Sequence, residues 1–379
     1  MTELTALTGA RIFDGETWHE GAALVVVGGH IHSIGAIPAG AETITLDGGY
    51  LVPGFVDLQV NGGGGHLIGP GTTVADLALV CDTHARFGVT GLMPTLITDT
   101  AEVTDAVLTV GVAATRQGMP GFLGLHLEGP HLSLSRKGAH DPQLIRPMTE
   151  ADLVRFERAR TELPHLLVTV ATEACTPEQI ARLVKAGITV SLGHSDASFE
   201  AASAAIRAGA GMVTHLFNAM SPIGNREPGL VGAALHHGTV WAGVIADGIH
   251  VHPATLRAAL RAKQGPGRIF LVSDSMSQAG TELTSLTLNG RMIHRRDGAL
   301  RLADGTLAGA DLTMDGAVKC LVLMDIDLDL ALRMASLFPG EAIGNHRLGR
   351  ISEGHLANLV HLSDDLSACA VWRAGERFH

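Results

Sequence analysis

The sequence is poor in aromatic residues and in positive charge, and the charge balance limits which partners the protein can bind. Aromatic residues make up only 4% of the 379 residues, and 27 lysines and arginines stand against 38 aspartates and glutamates, a formal net charge of −11. Nucleic acids and anionic membranes are bound through basic patches, so this balance disfavours both as partners. We therefore expect neither, and an anionic ligand would need a local cationic pocket.

Cysteine is also scarce and scattered. The four cysteines, Cys81, Cys175, Cys320 and Cys369, form no CxxC pair and no short-spaced disulfide framework. The first residues lack the basic-then-apolar pattern of a signal peptide, and no stretch offers 18 uncharged apolar residues. These features predict a soluble cytoplasmic protein with reduced thiols.

Short alternating segments at both ends of the chain predict a small β domain. Residues 4–51 contain brief apolar strands broken by glycine pairs and Asp-Gly turns, and residues 348–378 return to the same pattern. Neither set is long enough to close a core alone. We therefore predict a β-sandwich built from residues 1–52 and 345–379.

Between these ends, eight brief apolar runs alternate with helical stretches. The runs span residues 54–60, 91–98, 121–129, 166–173, 188–195, 212–218, 240–248 and 269–275. The clearest helical stretches are residues 73–88, 150–161, 177–187 and 197–209. Eight such units predict an α/β fold, a (β/α)8 TIM barrel over residues 53–344. A doubly wound sheet ranks lower, because the glycine-rich segment 61–66 does not form a phosphate loop.

One excursion interrupts the barrel pattern after its eighth run. Residues 283–309 contain alternating apolar positions and Asp-Gly turns, which predict an inserted hairpin. The following stretches at 311–324 and 328–338 have helical patterns that complete the barrel wall.

Polar residues at the ends of three runs predict a metal site. Glu128, His194 and His215 end the third, fifth and sixth runs, and barrel closure brings strand ends to one mouth, where barrel active sites lie. Two imidazoles and one carboxylate suit a divalent metal with open positions for water.

Asp274 ends the eighth run and faces the same mouth in this scheme. A carboxylate beside a metal site can take a proton from water and later give it to a leaving group. An aspartate at a strand end can equally cap the next helix. His140, Arg226 and His250 lie in loops at this rim, where each is either a ligand contact or a solvated loop residue.

Several segments read together resemble one known family. They are LVPGFVDLQVNGGGG, GLHLEGP, SLGHSDA, THLFNAMSP, ADGIHVHP, LVSDSM and GTLAGADLTM, in order from Leu51 to Met314. They are similar to the N-acetylglucosamine-6-phosphate deacetylases of the amidohydrolase superfamily. HLEGP with THLFNAM is the specific part, and the tail segment GNHRLGRISEGHLANLVHL is similar to the superfamily's return into its β-sandwich.

The resemblance implies a metal-dependent deacetylase acting on a phosphorylated N-acetyl sugar. It implies one divalent metal, zinc first and iron, manganese or cobalt otherwise, with Asp274 as general base and acid and His140 polarising the acetamide carbonyl. The implied substrate contacts are Ala139, His140, Asn218, Ala219, Arg226, His250, Leu307, Ala308 and Gly309. It also implies a homodimer in which Arg226 and His250 reach into the neighbouring site.

Gln59 and Asn61 differ from a common pattern of this barrel class, and His131 differs from several relatives. Gln59 and Asn61 stand in the first strand where this class of barrel often has two histidines, and amide side chains are weak metal ligands. We therefore expect no second metal there. His131 beside the metal loop is either a fortuitous histidine or an extra contact.

Other amide substrates stay open at this stage. N-acetylgalactosamine 6-phosphate, an N-acyl amino acid and a cyclic imide are the alternatives, and a cyclic-imide hydrolase would want the histidine pair and a lysine at the fourth run, which ends ATEACTP. A non-catalytic scaffold is disfavoured, because all three candidate ligands and Asp274 are present.

Overall fold

The computed structural model describes residues 4–288 and 290–379. Its strands are β1 Leu4–Thr8, β2 Arg11–Phe13, β3 Trp18–His19, β4 Ala23–Val27, β5 His30–Gly35, β6 Glu42–Thr45, β7 Tyr50–Pro53, β8 Phe55–Val60, β9 Gly62–Gly63, β10 His66–Leu67, β11 Val89–Ile97, β12 Leu125–Glu128, β13 Leu166–Val170, β14 Thr189–Leu192, β15 Met212–Val213, β16 Trp241–Val244, β17 Ile269–Leu271, β18 Ser285–Leu288, β19 Arg291–Arg296, β20 Ala299–Leu302, β21 Leu307–Ala310, β22 Leu359–Leu362, β23 Ala368–Arg373 and β24 Glu376–Arg377. Its helices are α1 Val74–Ala85, α2 Ala101–Arg116, α3 Glu150–Arg160, α4 Pro177–Lys185, α5 Phe199–Arg207, α6 Gly229–His236, α7 Pro253–Ala262, α8 Met314–Leu323, α9 Leu328–Ala335 and α10 Leu337–Ala342.

The predicted barrel is confirmed. Strands β8 and β11 to β17 pair in parallel, each with the next along the chain. The first and eighth runs then meet, since Val60 bridges Ser275 in parallel and the Asn61 backbone N–H donates to the Ser275 carbonyl at 2.8 Å. The polar ends of all eight runs consequently surround one mouth.

The barrel helices start where the sequence supplies caps. Thr73 and Thr176 each form a capping box at the start of α1 and α4, and Thr100 caps α2. Helices α1, α3, α4 and α5 fall within the four predicted helical stretches. Among the described residues, every helix is too short or too polar to cross a lipid bilayer.

Both ends of the chain build the small domain. One sheet has the order β5-β4-β1-β6 and the other β24-β23-β22-β7-β2-β3, and a separate apolar core lies between them, with Leu7 and Leu24 from the first sheet and Trp372 from the second. Strand β7 pairs antiparallel with β22, so that Val52 lies opposite Val360. The predicted division between residues 52 and 53 falls inside β7 and stays a prediction.

The insert after the eighth run is larger than the predicted hairpin. It is a four-stranded antiparallel sheet, β18 to β21, whose own apolar core contains Leu288 and Leu300 together with Met276 from the barrel rim. A parallel bridge between Ser275 and Ala310 joins the insert to the last barrel run. The sheet therefore forms one wall above the mouth.

Two adjacent glycines allow a test of the small domain. Gly48 and Gly49 both have φ of 65°, but a Cβ on Gly49 would lie 2.0 Å from the Leu362 carbonyl oxygen, whereas one on Gly48 would meet nothing within 4 Å. Gly48→Ala should cost about 1 kcal/mol for the left-handed backbone alone. Gly49→Ala should cost about 3 kcal/mol, because β7 must also move away from β22. Thermal unfolding of both variants measures the difference, and equal melting temperatures would contradict this packing.

Candidate active site

Three buried side chains converge at the centre of the mouth. Glu128 ends β12, while His194 and His215 follow β14 and β15, and they are 3%, 5% and 4% exposed. Glu128 Oε1 lies 2.9 Å from His215 Nε2 and 3.3 Å from His194 Nε2, and the two nitrogens are 3.1 Å apart. Ligands about 2.0 to 2.1 Å from a tetrahedral zinc lie about 3.3 Å from one another. The three atoms thus fit one small divalent cation.

A hydrogen bond outside the cluster leaves a lone pair of His194 facing inward. The Arg136 carbonyl can only accept, so His194 Nδ1–H donates to it at 2.8 Å and Nε2 carries the lone pair in the neutral ring. Burial raises the pKa of Glu128, but the neighbouring His194 and His215 lower it more, and the net pKa lies well below its ordinary value. An ionised carboxylate and an unprotonated Nε2 are what a metal ion requires.

Gly138 provides a test of how His194 is held. A Cβ at Gly138 would lie 3.2 Å from His194 Cε1, and its φ is 55°. Gly138→Ala should therefore press on the ring and weaken metal binding about 10-fold, in the range found for residues that orient metal ligands. Competition with a chelator measures the affinity. Gly118→Ala is the matched control, since Gly118 has φ of 62° but open space around it; equal affinities would contradict the argument.

Asp274 lies beside the cluster and is held by two amides from the first strand. Asn61 Nδ2 donates to Asp274 Oδ1 at 2.7 Å, and Gln59 Nε2 donates to Asp274 Oδ1 at 3.2 Å and to Glu128 Oε1 at 3.0 Å. Both amides therefore donate to Asp274, and Gln59 also donates to Glu128. No helix follows Asp274 directly, so the alternative of a helix cap is wrong. Burial, aided by the charge of Glu128, raises the pKa of Asp274.

His140 faces the cluster from the loop after β12. His140 Nδ1 lies 2.7 Å from Thr98 Oγ1 and accepts from the Thr98 backbone N–H at 3.3 Å, so the ring proton sits on Nε2, which lies 3.8 Å from Glu128 Oε2. Burial, aided by the charge of nearby His194, lowers the pKa of His140 to about 3. The ring is consequently neutral and presents an N–H to the cavity.

The mouth also concentrates unusual backbone geometry. Non-glycine residues with left-handed φ include His194 at 47°, His215 at 29°, Ala219 at 49° and Asp274 at 49°. Each such residue costs on the order of 1 kcal/mol or more and persists only where the surrounding structure holds it. The packing around the mouth therefore imposes the directions of these side chains.

A cavity of about 340 Å³ opens above the cluster. Its walls contain most of the predicted substrate contacts, namely Ala139, His140, Asn218, Ala219, His250, Leu307, Ala308 and Gly309. Arg226 is exposed and lies outside this wall. His250 lines the cavity of its own chain, so its contact with a ligand requires no neighbouring subunit.

Other cavity residues carried no sequence signal that we recognised. Arg136, Ile97, Met276 and Leu288 line the wall. Ile97 ends β11 and Met276 follows the eighth run, so placement at the barrel rim was the available signal. Arg136 follows Glu128 by eight residues in the same loop, and its guanidinium pairs with Asp196 at 2.7 Å.

His131 points away from the cluster. Its Nδ1 lies 3.2 Å from the Arg146 carbonyl oxygen, and its ring packs edge-on against Phe156. It is fully buried, and burial lowers its pKa to about 4. The structure therefore supports the interpretation that His131 is a fortuitous histidine that packs in the barrel, and not that it is an extra contact at the site.

Fold and cluster together define a metal-dependent hydrolase of the (β/α)8 type, and comparison with known proteins assigns the family. The model of the Amidohydrolase family matches residues 50–375, so the chain belongs to that family. Over 332 residues it is 43% identical to N-acetylgalactosamine-6-phosphate deacetylase of Shewanella sp. (strain ANA-3), covering 87% of this chain and 84% of that protein. It is 38% identical to N-acetylglucosamine-6-phosphate deacetylase of Haemophilus influenzae, covering 86% and 85%.

Solved structures agree with these relatives. The crystal structure of N-acetylglucosamine-6-phosphate deacetylase from Pasteurella multocida superposes with a TM-score of 0.94 at 35% identity, covering 99% of both chains. A mutant of the Mycobacterium smegmatis enzyme in complex with N-acetyl-D-glucosamine-6-phosphate has a TM-score of 0.92 at 33% identity, again covering 99% of each. The similarity therefore extends over both domains.

Proposed function

We propose that this protein hydrolyses the acetamide of N-acetyl-D-glucosamine 6-phosphate, releasing acetate and glucosamine 6-phosphate, as a step of amino-sugar catabolism and recycling. The observation that carries the proposal is the placement of Asp274 and His140 beside the three-ligand cluster, inside one cavity. Relatives named for this activity and its galactosamine counterpart support it.

Glu128, His194 and His215 would hold the metal. One divalent ion fits their spacing, and zinc is our first choice, although iron, manganese and cobalt accept the same donors. When bound, such an ion polarises an amide carbonyl and lowers the pKa of a water molecule.

The proton transfers belong to Asp274. Both amide donors use its Oδ1, which leaves Oδ2 to take a proton from the attacking water and return it to the departing amine nitrogen. His140 Nε2–H donates to the carbonyl oxygen as negative charge develops there. Because both groups are held by buried hydrogen bonds, little reorganisation is needed during the reaction.

The sugar and its phosphate would occupy the rest of the cavity. Leu307, Ala308 and Gly309 from β21 form the sugar wall, and Asn218, Ala219 and His250 meet the phosphate. We further propose a homodimer in which the exposed Arg226 supplies a guanidinium to the neighbouring cavity, since Arg is suited to bind phosphate. The buried free thiols of Cys81 and Cys175 suit a reducing cytoplasm.

N-Acetylgalactosamine 6-phosphate is the second candidate substrate. It is supported by the 43% identical relative, which is named for that activity. The two sugars differ in configuration at one carbon, and the contacts described here act on the acetamide and the phosphate, which they share.

Acetate release from four N-acetyl sugars tests the proposal. The glucose and galactose forms are measured with and without the 6-phosphate. We expect kcat/KM to be about 100-fold higher with the phosphate, because each charge-assisted hydrogen bond to it contributes about 1.5 to 3 kcal/mol. Equal kcat/KM values with and without the phosphate would contradict the proposed specificity for a phosphorylated sugar. If none of the four sugars released acetate, the proposed deacetylase activity would be wrong.

A further inference from the structure

We propose that Asp247 is a positioning residue that holds His250 as a hydrogen-bond donor to the anionic group of the substrate. The inference rests on the proposed function, because it needs an anion in the cavity. It assigns a role to a side chain that lies behind the cavity wall.

The geometry comes from the loop that follows β16. Asp247 Oδ1 accepts the backbone N–H groups of Ile249 and His250 at 2.9 and 2.8 Å, and its Oδ2 lies 2.6 Å from His250 Nδ1. The side chains of His250 and Asp247 are only 4% and 5% exposed. One carboxylate thus fixes both the loop backbone and the imidazole ring.

This arrangement determines which ring nitrogen faces the cavity. Burial raises the pKa of Asp247, but hydrogen bonding and the charge of His250 lower it more, so the carboxylate is ionised at neutral pH. An ionised carboxylate can only accept, so His250 Nδ1 must be the donor in this pair. Nε2, on the opposite side of the ring, is left for the cavity that His250 lines.

The carboxylate also supplies a countercharge behind the ring when an anion approaches Nε2. An imidazolium between Asp247 and a phosphate would be paired on both sides, and charge-assisted hydrogen bonds of this kind are about twice as strong as neutral ones. Without Asp247 the ring would lose both its fixed direction and this compensation. We therefore expect Asp247 to act on affinity for the phosphorylated substrate, and not on the acetamide chemistry.

Asp247→Asn tests the role, because the amide keeps the shape of the side chain while removing its charge. We expect KM for the 6-phosphorylated sugar to rise about 10-fold, with kcat and the kcat/KM for the unphosphorylated sugar changed less than about two-fold. In a double-mutant cycle with His250→Gln, the double variant should be no worse than His250→Gln alone, because Asp247 acts through His250.

The small domain offers a matched control. Asp14 Oδ1 accepts the backbone N–H groups of Glu16 and Thr17, both at 2.8 Å, and its Oδ2 lies 2.7 Å from His19 Nε2. Asp14→Asn therefore disrupts the same kind of loop pair away from the cavity. It should leave the preference for the phosphorylated sugar unchanged.

Equal losses on both substrates in Asp247→Asn, or additive losses in the double variant, would overturn the inference. Failure of the proposed function is distinguishable, because the wild-type protein would then show no acetate release or no phosphate preference. If Asp247→Asn does not fold, nitrogen-15 NMR of the wild-type histidines, with His250→Gln for assignment, decides the matter. A His250 ring without a proton on Nδ1 would overturn the inference.

Discussion

Asp274→Asn is expected to lower kcat about 1,000-fold while the protein still binds its metal. The amide is nearly the same size, and the three metal-binding side chains remain, but it can neither take the proton from water nor return it to the amine. General acid and base catalysis by one positioned group contributes about 100- to 10,000-fold, and Asp274 would perform both transfers. Steady-state acetate release and metal analysis of the same preparation measure the two quantities.

A second carboxylate near the mouth serves as the control for this loss. Asp311 follows β21 and pairs with Arg295 at 2.7 Å, outside the cavity wall. Asp311→Asn should change kcat less than about three-fold, as is usual for a partly exposed ion pair. Near-normal turnover by metal-loaded Asp274→Asn would show that another group moves the protons.

Glu128→Gln is expected to abolish stoichiometric metal binding and to lower activity by about 1,000-fold or more. The substitution replaces an ionised oxygen between two imidazoles with a neutral amide, and an amide is a much weaker ligand. It also disturbs Gln59, whose amide donates to Glu128 Oε1 at 3.0 Å. Metal content after dialysis, and activity before and after addition of zinc, measure the effect.

Glu173→Gln is the matched control for Glu128→Gln. Glu173 also lies at the end of a barrel run, but its carboxylate accepts from Ser195 Oγ and the Asp196 backbone N–H, both at 2.6 Å. This variant should retain its metal. If Glu128→Gln kept one metal per chain, or if chelation of the wild-type protein left its turnover intact, the three-ligand site would be wrong.

The main lines of the site were predictable because a parallel barrel obeys a simple rule. All its strands end at one mouth, so polar residues at the ends of separate runs must meet there, whatever their distance in sequence. The count and direction of the runs were therefore enough to predict that four residues meet at the mouth, namely Glu128, His194, His215 and Asp274. The barrel itself was predictable because few other folds are built from eight strands that alternate with helices.

What the sequence could not reveal are contacts made by the backbone. The Arg136 carbonyl that orients His194 is a group that every residue carries, so no residue type marks it. The direction of the Gln59 amide, which joins two carboxylates, depends on side-chain packing in the closed barrel. The insert was underestimated because β20 and β21 are only four residues long, and their pairing is set by contact with Met276 and the rim.

The pairing of β7 with β22 has a consequence for how the chain is made. The two strands lie about 300 residues apart in sequence, and a domain emerges from the ribosome from its N-terminus onward. Strands β1 to β7 are therefore synthesised before the barrel, while three of the six strands of their second sheet, β22 to β24, are still missing. Contacts of such high sequence separation form slowly, so the small domain can be completed only after the barrel sequence has been made, and until then the edge of β7 that pairs with β22 has no partner.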